Sequence, residues 1–578
     1  MKRWGKYIKP YLKYFICGPV CMIIEVIGEI LMPTFLALII NAWRDGTLTV
    51  GSSIGYAALM ILTALMMMAG GVGGSYFGAK ASVNFAADLR SDMFAKVQSF
   101  SFANIDRFST GSLVTRLTND VTQMQNMVNM CLRMLLRSPG MLIGALIMAI
   151  RLNPSLSLVL AVTIPLMLIA IGLIVVFGFS RFGKVQAKID ALNNTTQENI
   201  TNVRVVKSFV REQFEVDKFN RANLDLKSTA MQAMNVVIFM GPVISLFMYF
   251  TTLAVLLFGS KTVLALEMPV GDLSSFVTYV SQIMFSLMMV TMMLMMLSRA
   301  MASAKRIREV LDETSDILDI YAAQPEKTVE NGAIEFRNVS FRYYKNSEEE
   351  VLKKIDLSIL PGQTVGIIGS TGCGKTTLVS LIPRLYDTDE GEVLVDGVNV
   401  KDYSLKNLRD GVAMVLQKNV LFSGTIEDNL RWGDPNATDA ELQYFAEKSQ
   451  AHKFIESFPD GYQTELEQGG TNVSGGQKQR LCIARALLAR PKILILDDST
   501  SAVDTATEAM IRKAFREDIP DSTKIIIAQR ISSVETADVI VVMDNGSISG
   551  IGTHEQLLDS NEAYQEIYES QTGKKRGA

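Results

Sequence analysis

Three glycines, a lysine and a closing threonine fall within eight consecutive residues, Gly369-Ser370-Thr371-Gly372-Cys373-Gly374-Lys375-Thr376. The chemistry of that combination is phosphate binding. Glycines let backbone N–H groups wrap an anion, Lys375 reaches the terminal phosphates, and the Thr376 hydroxyl is a ligand for Mg²⁺, with Thr377 following. The run lies between an apolar strand-like stretch, Thr364 to Ile368, and a helix-like one, Thr377 to Leu385, which is the context such a loop needs. A second element of the same chemistry is Ile493-Leu-Ile-Leu496, an apolar strand that ends in Asp497 and Asp498. An acid at a strand end facing a phosphate loop can hold Mg²⁺ through its water shell, and Asp497 takes that role. The third is Asn472-Val-Ser474-Gly475-Gly476-Gln477-Lys-Gln479-Arg480, small residues opening a helical segment, whose free N–H groups form an anion site. A Gly-rich loop by itself is commonly structural; Asp497, 23 residues after Ser474, makes this one specific.

The elements that must position these groups alternate between short β-branched runs and helix-like segments from about residue 333 onward. Strands are expected at Thr364 to Ile368, Gly411 to Leu416, Ile493 to Leu496, Lys524 to Ile527 and Val539 to Met543, so residues 333–578 read as an α/β domain. The preceding part is of another kind. Residues 1–325 carry 28 Lys+Arg against 20 Asp+Glu, and 326–578 carry 28 against 39, so the net charge of −3 joins a basic, apolar half to an acidic, ordinary one. At 578 residues and 48% hydrophobic, a single soluble domain is excluded, and the near-neutral total gives no reason to expect nucleic acid as a partner. Five cysteines without CxxC spacing support neither a disulfide scaffold nor a zinc site. Two histidines, His452 and His554, are the only ones in the chain.

Six apolar stretches near 15–41, 54–79, 131–150, 156–178, 234–258 and 273–298 are long enough to cross a bilayer, which takes about 20 helical residues. The first is too long for a signal-peptide core and lacks a small-residue cleavage site, so it reads as a retained span. Ahead of it Lys2, Arg3, Lys6, Lys9 and Lys13 alternate with Trp4, Tyr7 and Tyr11, the pattern of a short amphipathic helix at an anionic lipid surface. With the N-terminus inside, segments 1–13, 82–130 and 181–230 hold 5, 4 and 9 Lys+Arg, against Arg44, Arg151 and Lys261 in the outside loops. That asymmetry places the N-terminus and the α/β domain in the cytoplasm of a multi-pass cell-membrane protein. The two long inside loops favour helix and are expected to extend the spans. Glu25 and Glu29 lie four apart on the first span, ahead of Pro33: they are candidates for cation recognition or proton coupling, or else they line a watery cavity or cap a kinked helix. Met284, Met288 and Met292 belong to a Met-rich sixth span that reads as an adaptable binding surface or as packed bulk.

With these motifs in place, nearly the whole chain resembles the ATP-binding cassette exporters, as a half-transporter with six spans fused to one nucleotide-binding domain. The resemblance implies a transmembrane domain over 1–320, a linker over 321–332 and the cassette over 333–578, an ATPase coupled to transport, and ATP with Mg²⁺. Tyr343, in Phe341-Arg-Tyr343, resembles the aromatic that stacks on adenine. Gln417 resembles the glutamine that contacts Mg²⁺ and senses the membrane domain. Ser501-Ala-Val-Asp504 resembles the segment that crosses to the opposite site. Ser474, Gly475, Gly476 and Gln477 then serve ATP bound by a second half-transporter, since family members sandwich two nucleotides between two domains. Turns near 102–110 and 199–208 resemble the coupling helices.

Three departures qualify the resemblance. The residue after the Mg²⁺-binding aspartate, normally glutamate, is Asp498, one methylene shorter. The position that expects a histidine holds Gln529, in Ile525-Ile-Ile-Ala528-Gln529-Arg530. Glu467-Gln468 stands where Gly-Glu is usual. Asp498 and Gln529 both belong to the site nucleated by this chain's own loop, so the expectation is a slowly hydrolysing site here and a competent one completed on a non-identical partner with intact glutamate and histidine. The competing expectation is a homodimer, either a lipid or peptide exporter or an ATP-gated regulatory membrane protein. Substrates are expected to be small hydrophobic or amphipathic compounds, as in multidrug exporters, against a background of membrane lipid. A first span beginning within about fifteen residues of the start disfavours processing of a leader peptide.

Overall fold

Inside a bilayer every backbone N–H and C=O must be paired within the segment, so long apolar runs fold as helices. A computed structural model describes residues 4–319, 322–344, 347, 349–498 and 504–572. Among these residues six helices are long and apolar enough to cross a membrane: Gly5–Arg44, Val50–Gln98, Thr110–Leu152, Pro154–Thr201, Glu212–Leu264 and Val270–Val290. Each contains one of the expected apolar stretches or most of it. The continuous helix Val50–Gln98 has 49 residues, or about 74 Å at 1.5 Å per residue, more than twice the hydrocarbon thickness. The helices therefore run well beyond the spans, as the helix-favouring loops suggested.

Two expected spans are not continuous. The stretch 131–150 is interrupted at Leu135 and Leu136, between Val121–Met134 and Arg137–Leu152, and 234–258 is interrupted after Val237, with Met240–Leu264 following. Pro139 and Pro242 explain both breaks. A proline ring clashes with the carbonyl four residues back but is tolerated in a first turn, so the helix restarts just ahead of each.

The N-terminal segment also departs from expectation. The Gly5–Ile8 turn of helix packs on the chain itself: Tyr7 is 4% exposed, its ring lies edge-on to Phe85 at 5.9 Å, and its hydroxyl donates to Asp92 Oδ2 at 3.0 Å. Lys6 pairs with the same carboxylate. Trp4 and Tyr7 thus pack on Phe85 of the helix Val50–Gln98.

The chain divides into two units: the residues up to Gln98 with Thr110–Asp312, and Ser99–Ser109 with the residues from Glu313 on. In the first, helices approach closely where a side chain would not fit; a Cβ on Gly70 would lie 2.8 Å from the Cys21 carbonyl oxygen. The last helix continues past Val290 as Val270–Asp312, and a polar latch holds its far end. Asp120, 2% exposed on the π-helical turn Arg116–Asp120, accepts from Arg306 Nε at 2.7 Å and from Ser303 Oγ at 2.9 Å, while Arg116 Nη1 donates to the Arg306 carbonyl at 2.7 Å.

The second unit is built on strands β1 (Ile334–Phe341), β2 (Leu352–Ile359), β3 (Thr364–Gly369), β4 (Glu390–Val395), β5 (Val398–Asn399), β6 (Val412–Val415), β7 (Gly424–Thr425), β8 (Glu465–Leu466), β9 (Ile493–Asp497), β10 (Thr523–Ile527), β11 (Val539–Asp544) and β12 (Ser547–Gly552). The sheet order β12-β11-β3-β10-β9-β6 is parallel throughout except for β12. Every residue of β9 and β10 is buried, and with both faces covered the stretches Ile493–Leu496 and Ile525–Ile527 are unbroken apolar runs. All five expected strands lie in this sheet. The antiparallel sheet β2-β1-β4-β5 was not anticipated as a separate layer.

The turns expected near 102–110 and 199–208 are the helices Phe102–Arg107 and Val203–Ser208, and the first of them packs in the second unit. Its Asn104 donates to Glu313 Oε1 at 2.9 Å, and Arg107 binds both Glu313 oxygens at 3.1 and 3.0 Å.

The Asp120 latch predicts a specific loss. Asp120→Ala leaves the partly exposed Arg306 without its acceptor and is expected to cost about 1–3 kcal/mol, seen as a lower thermal midpoint of the detergent-solubilised chain. An unchanged midpoint would show that the latch carries no stability.

Candidate functional site

Strand order assembles the site. β10 lies between β3 and β9, in register at Ile527 with both Ile367 and Asp497, so the C-terminal ends of three parallel strands meet. From β3 emerges the phosphate loop, from β9 Asp497 and Asp498, and after β10 Gln529. The loop's path needs glycine: Gly372 and Gly374 have φ of 87° and 97°, and a Cβ on Gly369 would sit 2.2 Å from the Met543 carbonyl oxygen. Lys375 Nζ donates to the carbonyls of Gly369 and Ser370 at 2.9 and 2.8 Å, which holds the ammonium over its own loop. Cys373 is buried beneath it.

Thr376 Oγ1 donates to Asp497 Oδ1 at 3.0 Å. Asp497 is 2% exposed; burial raises its pKa above the ordinary carboxylate range and the adjacent Asp498 adds to that, while the Thr376 hydrogen bond and Lys375 oppose it. A hydroxyl and a buried, hard oxygen acid side by side suit Mg²⁺, which Thr376, Asp497 and Gln417 would hold. Bound there with nucleotide, the ion would neutralise phosphate charge.

The two departing residues touch. Gln529 Nε2 donates to Asp498 Oδ2 at 2.8 Å. Asp498 sits in a left-handed backbone conformation, φ 47°, and its amide donates to the Ile527 carbonyl at 3.0 Å. Burial raises its pKa, with hydrogen bonds from Gln417 and Gln529 and the charge of Lys375 pulling the other way. Gln417 thus joins the Asp498 carboxylate.

Tyr343 shares a hydrogen bond with Thr377 Oγ1 at 2.9 Å, and its ring stands edge-on to Phe341 and Tyr386 at 5.0 and 5.2 Å. Tyr386 was not singled out from sequence. Its hydroxyl donates to Asp106 of the helix Phe102–Arg107 at 2.8 Å, and burial, then this bond, raises its pKa. Only its place eleven residues after Lys375 could have drawn notice.

Ser474 caps the helix Gly475–Leu488, accepting from Gln477 N at 3.3 Å while Gln477 Oε1 accepts from Ser474 N at 2.9 Å. The Gln477 side chain, expected to serve a partner's nucleotide, is thus engaged in the cap; Ser474 and Gly475 are exposed. Among the described residues no hydrogen bond joins this turn to the phosphate loop. Asp504 caps Thr505–Asp518 through Thr507 N at 3.0 Å, whose backbone hydrogen bond holds its pKa low. Ser501 to Val503 lie outside the described residues. Glu467, at the altered position before the signature, takes the Asn472 side-chain oxygen on its amide at 3.1 Å.

In the membrane unit, Glu25 and Glu29 both pair with Arg137 Nη2, at 3.1 and 3.3 Å. Neither caps a helix end, since both lie inside Leu12–Arg44. Arg137 was missed, although an arginine inside an apolar run is itself a signal. Met284 is corrected: at 1% exposure it packs among Ala145, Leu160, Phe276 and Tyr279 in the helix core. Met288 is half-buried, and the Met292 side chain lies outside the described residues.

A helical unit that spans the membrane joined to a phosphate-loop α/β unit defines an ATP-driven membrane transporter subunit. Residues 15–287 match the family described as ABC transporter transmembrane region, and 352–501 match that described as ABC transporter. The chain is 37% identical to the ABC transporter ATP-binding protein YfiB of Bacillus subtilis (strain 168), over 99% of each. It is 32% identical to the ATP-dependent lipid A-core flippase of Aromatoleum aromaticum, over 98% of this chain and 95% of the other. A solved bacterial Atm1-family ABC exporter with ATP bound has the same fold, with a TM-score of 0.79 and 24% identity, covering 98% of this chain and 99% of that one. The chain belongs to the ABC transporter family and is a multi-pass membrane protein.

The buried Asp497 makes a prediction with a definite sign. Its folded-state pKa lies above the unfolded value, so its stability contribution is fullest below the unfolded pKa and is lost as pH rises through the folded one; at pH 7 the ionised form is a burden. Asp497→Asn should raise the thermal midpoint of the Mg²⁺-free, nucleotide-free protein at pH 7 and abolish the extra stabilisation that Mg²⁺ with ATP adds. A lower midpoint without ligand would contradict it.

Proposed function

We propose that the chain is one half of a heterodimeric exporter of hydrophobic or amphipathic compounds, and that its own phosphate loop nucleates a weakly hydrolysing site. The observation that carries the reading is the Asp498–Gln529 hydrogen bond. A carboxylate one methylene short is withdrawn by about 1 Å from where a glutamate would polarise water, and a displacement of that size costs on the order of 10²-fold in rate. Its oxygen is further occupied by Gln529, a neutral amide that can hydrogen-bond a phosphate but cannot supply the charge of an imidazolium. The Ser474 turn, by contrast, is exposed and backbone-ordered, suited to a nucleotide held by another subunit. Tyr343, the loop from Gly369 to Thr377, and Thr376, Gln417 and Asp497 bind this chain's ATP and Mg²⁺. The arginine and lysine asymmetry supports a cytoplasmic N-terminus and nucleotide-binding domain. ATP, bound more tightly by the closed pair of domains than by the open pair, drives the change of access.

The relative named as a lipid A-core flippase favours a second reading, a homodimeric lipid exporter. ATPase measurements separate the two. The purified chain alone should turn over slowly, Asp498→Ala should change the assembled pair little, and Ser474→Ala should impair it strongly. The double variant Asp498→Glu with Gln529→His should raise turnover of the chain alone by on the order of 10- to 100-fold. A stable homodimer with vigorous ATPase, or equal severe losses from Asp498→Ala and Ser474→Ala, would sink the heterodimer.

A further inference from the structure

The helix Glu562–Thr572 carries an apolar stripe that ends in an amide. Tyr564 is fully buried, and Ile567 and Tyr568 pack against the same core of the nucleotide-binding unit. The next position of that face, seven residues after Tyr564, is Gln571. Contacts at the start of the helix fix where it stands. Asn561 Oδ1 accepts from the Tyr564 amide at 2.8 Å, and Asn561 Nδ2 donates to the Ser549 carbonyl on β12 at 3.0 Å. The Tyr564 hydroxyl shares a hydrogen bond of 2.7 Å with His554 Nδ1.

Gln571 reaches the segment that follows β10. Its Nε2 donates to the Gln529 carbonyl at 2.7 Å, and its Oε1 accepts from the Ile531 amide at 2.9 Å. Arg530, between them, is extended at φ −100° and ψ 132°, so the carbonyl before it and the amide after it point to the same side. A carboxamide offers a donor and an acceptor side by side and completes that edge as a neighbouring strand would. On the other flank the Ala528 amide donates to the Ile367 carbonyl of β3 at 3.2 Å. The backbone at Gln529 is therefore gripped from both sides, and from that base its side chain reaches Asp498 Oδ2. Both bonds from Gln571 go to main-chain atoms, so the grip is independent of the side chain at 529.

We infer that Gln571 is a positioning residue for this chain's nucleotide site: its carboxamide sets the backbone from which residue 529 meets Asp498 and the terminal phosphate, a role that rests on the ATPase reading of that site. Loosening that backbone misplaces the side chain it carries, which slows the chemical step and leaves the binding of ATP alone.

Two variants test this. Gln571→Leu keeps the bulk and removes both hydrogen bonds; Gln571→Glu keeps the acceptor for the Ile531 amide and sets a carboxylate against the Gln529 carbonyl. Each is made in the purified full-length chain and in its Asp498→Glu with Gln529→His form, and hydrolysis is followed at steady state and as a single turnover with protein in excess over ATP. Gln571→Leu should lower kcat by about 3- to 10-fold with KM for ATP unchanged. Hydrogen exchange should rise by about fivefold, the scale of one ordinary hydrogen bond, in the peptide that holds Ile531, while Tyr564 to Glu569 stay protected. Gln571→Glu should match the loss in kcat with a smaller rise in exchange. Unchanged exchange at Ile531, a rise there without a loss of kcat, or a KM that rises while kcat holds overturns the positioning role. Exchange that rises along the whole helix overturns it too, by reducing Gln571 to docking of that helix. Should the Asp498→Glu with Gln529→His form turn over no faster than the unmodified chain, the weakened-site reading fails by itself, and the Gln571 variants are judged on the single-turnover rate of the unmodified chain. Absence of hydrolysis in both forms removes the ATPase reading and this role with it, whereas an unaltered kcat in a chain that does hydrolyse ATP removes this role alone.

Discussion

Parallel pairing of β3, β10 and β9 is the constraint on which the nucleotide unit depends. Because three neighbouring strands run the same way, their C-terminal ends fall together, and whatever follows each strand is delivered to one place. The phosphate loop, Asp497 with Asp498, and Gln529 are brought to that place from positions up to 160 residues apart in the chain by a sheet whose middle strands are wholly buried. The burial that stabilises the sheet also sets the electrostatics at its edge: Asp497 and Asp498 are held where ionisation is unfavourable, which readies the first for a cation.

The membrane unit obeys a different constraint with a similar result. Backbone groups are satisfied within helices, so specificity between helices falls to the few polar side chains and to glycines. Asp120 with Arg306 and Ser303 is a closed set, each acceptor met by a donor. Glu25, Glu29, Arg137 and Gln282 are an open set, with acceptors left over. Both sets join helices that are far apart in the chain, and the leftover acceptors of the second are a cost that the packing of those helices carries.

Departures from the family pattern gain meaning from their geometry. Asp498 and Gln529, read separately, are two losses. Hydrogen-bonded to one another, they form a settled local arrangement, in which the shorter carboxylate is oriented by the amide that replaces the histidine. The Ser474 turn is ordered differently: a reciprocal cap between Ser474 and Gln477 fixes its backbone, and among the described residues no hydrogen bond ties it to this chain's own loop.

Local pattern was enough for a great deal. Apolar runs of span length, the eight-residue phosphate loop and the strand ending in two aspartates are contiguous in the chain, and the physics that makes them helices, cradles and buried strands acts over a few residues. Even the helix breaks at Leu135 and after Val237 were legible in principle, since Pro139 and Pro242 act four residues back. What tertiary structure alone decided joins distant segments. Arg137 meets Glu29 across 108 residues and Gln282 meets it across 253. Tyr386 reaches Asp106 across 280. Met284 went to the core rather than to a cavity, and the residues 99–109 went to the nucleotide-binding unit. Periodicity records which face of a helix is apolar but not what that face will meet, because the partner is chosen by packing among helices whose order in space no short window of residues encodes.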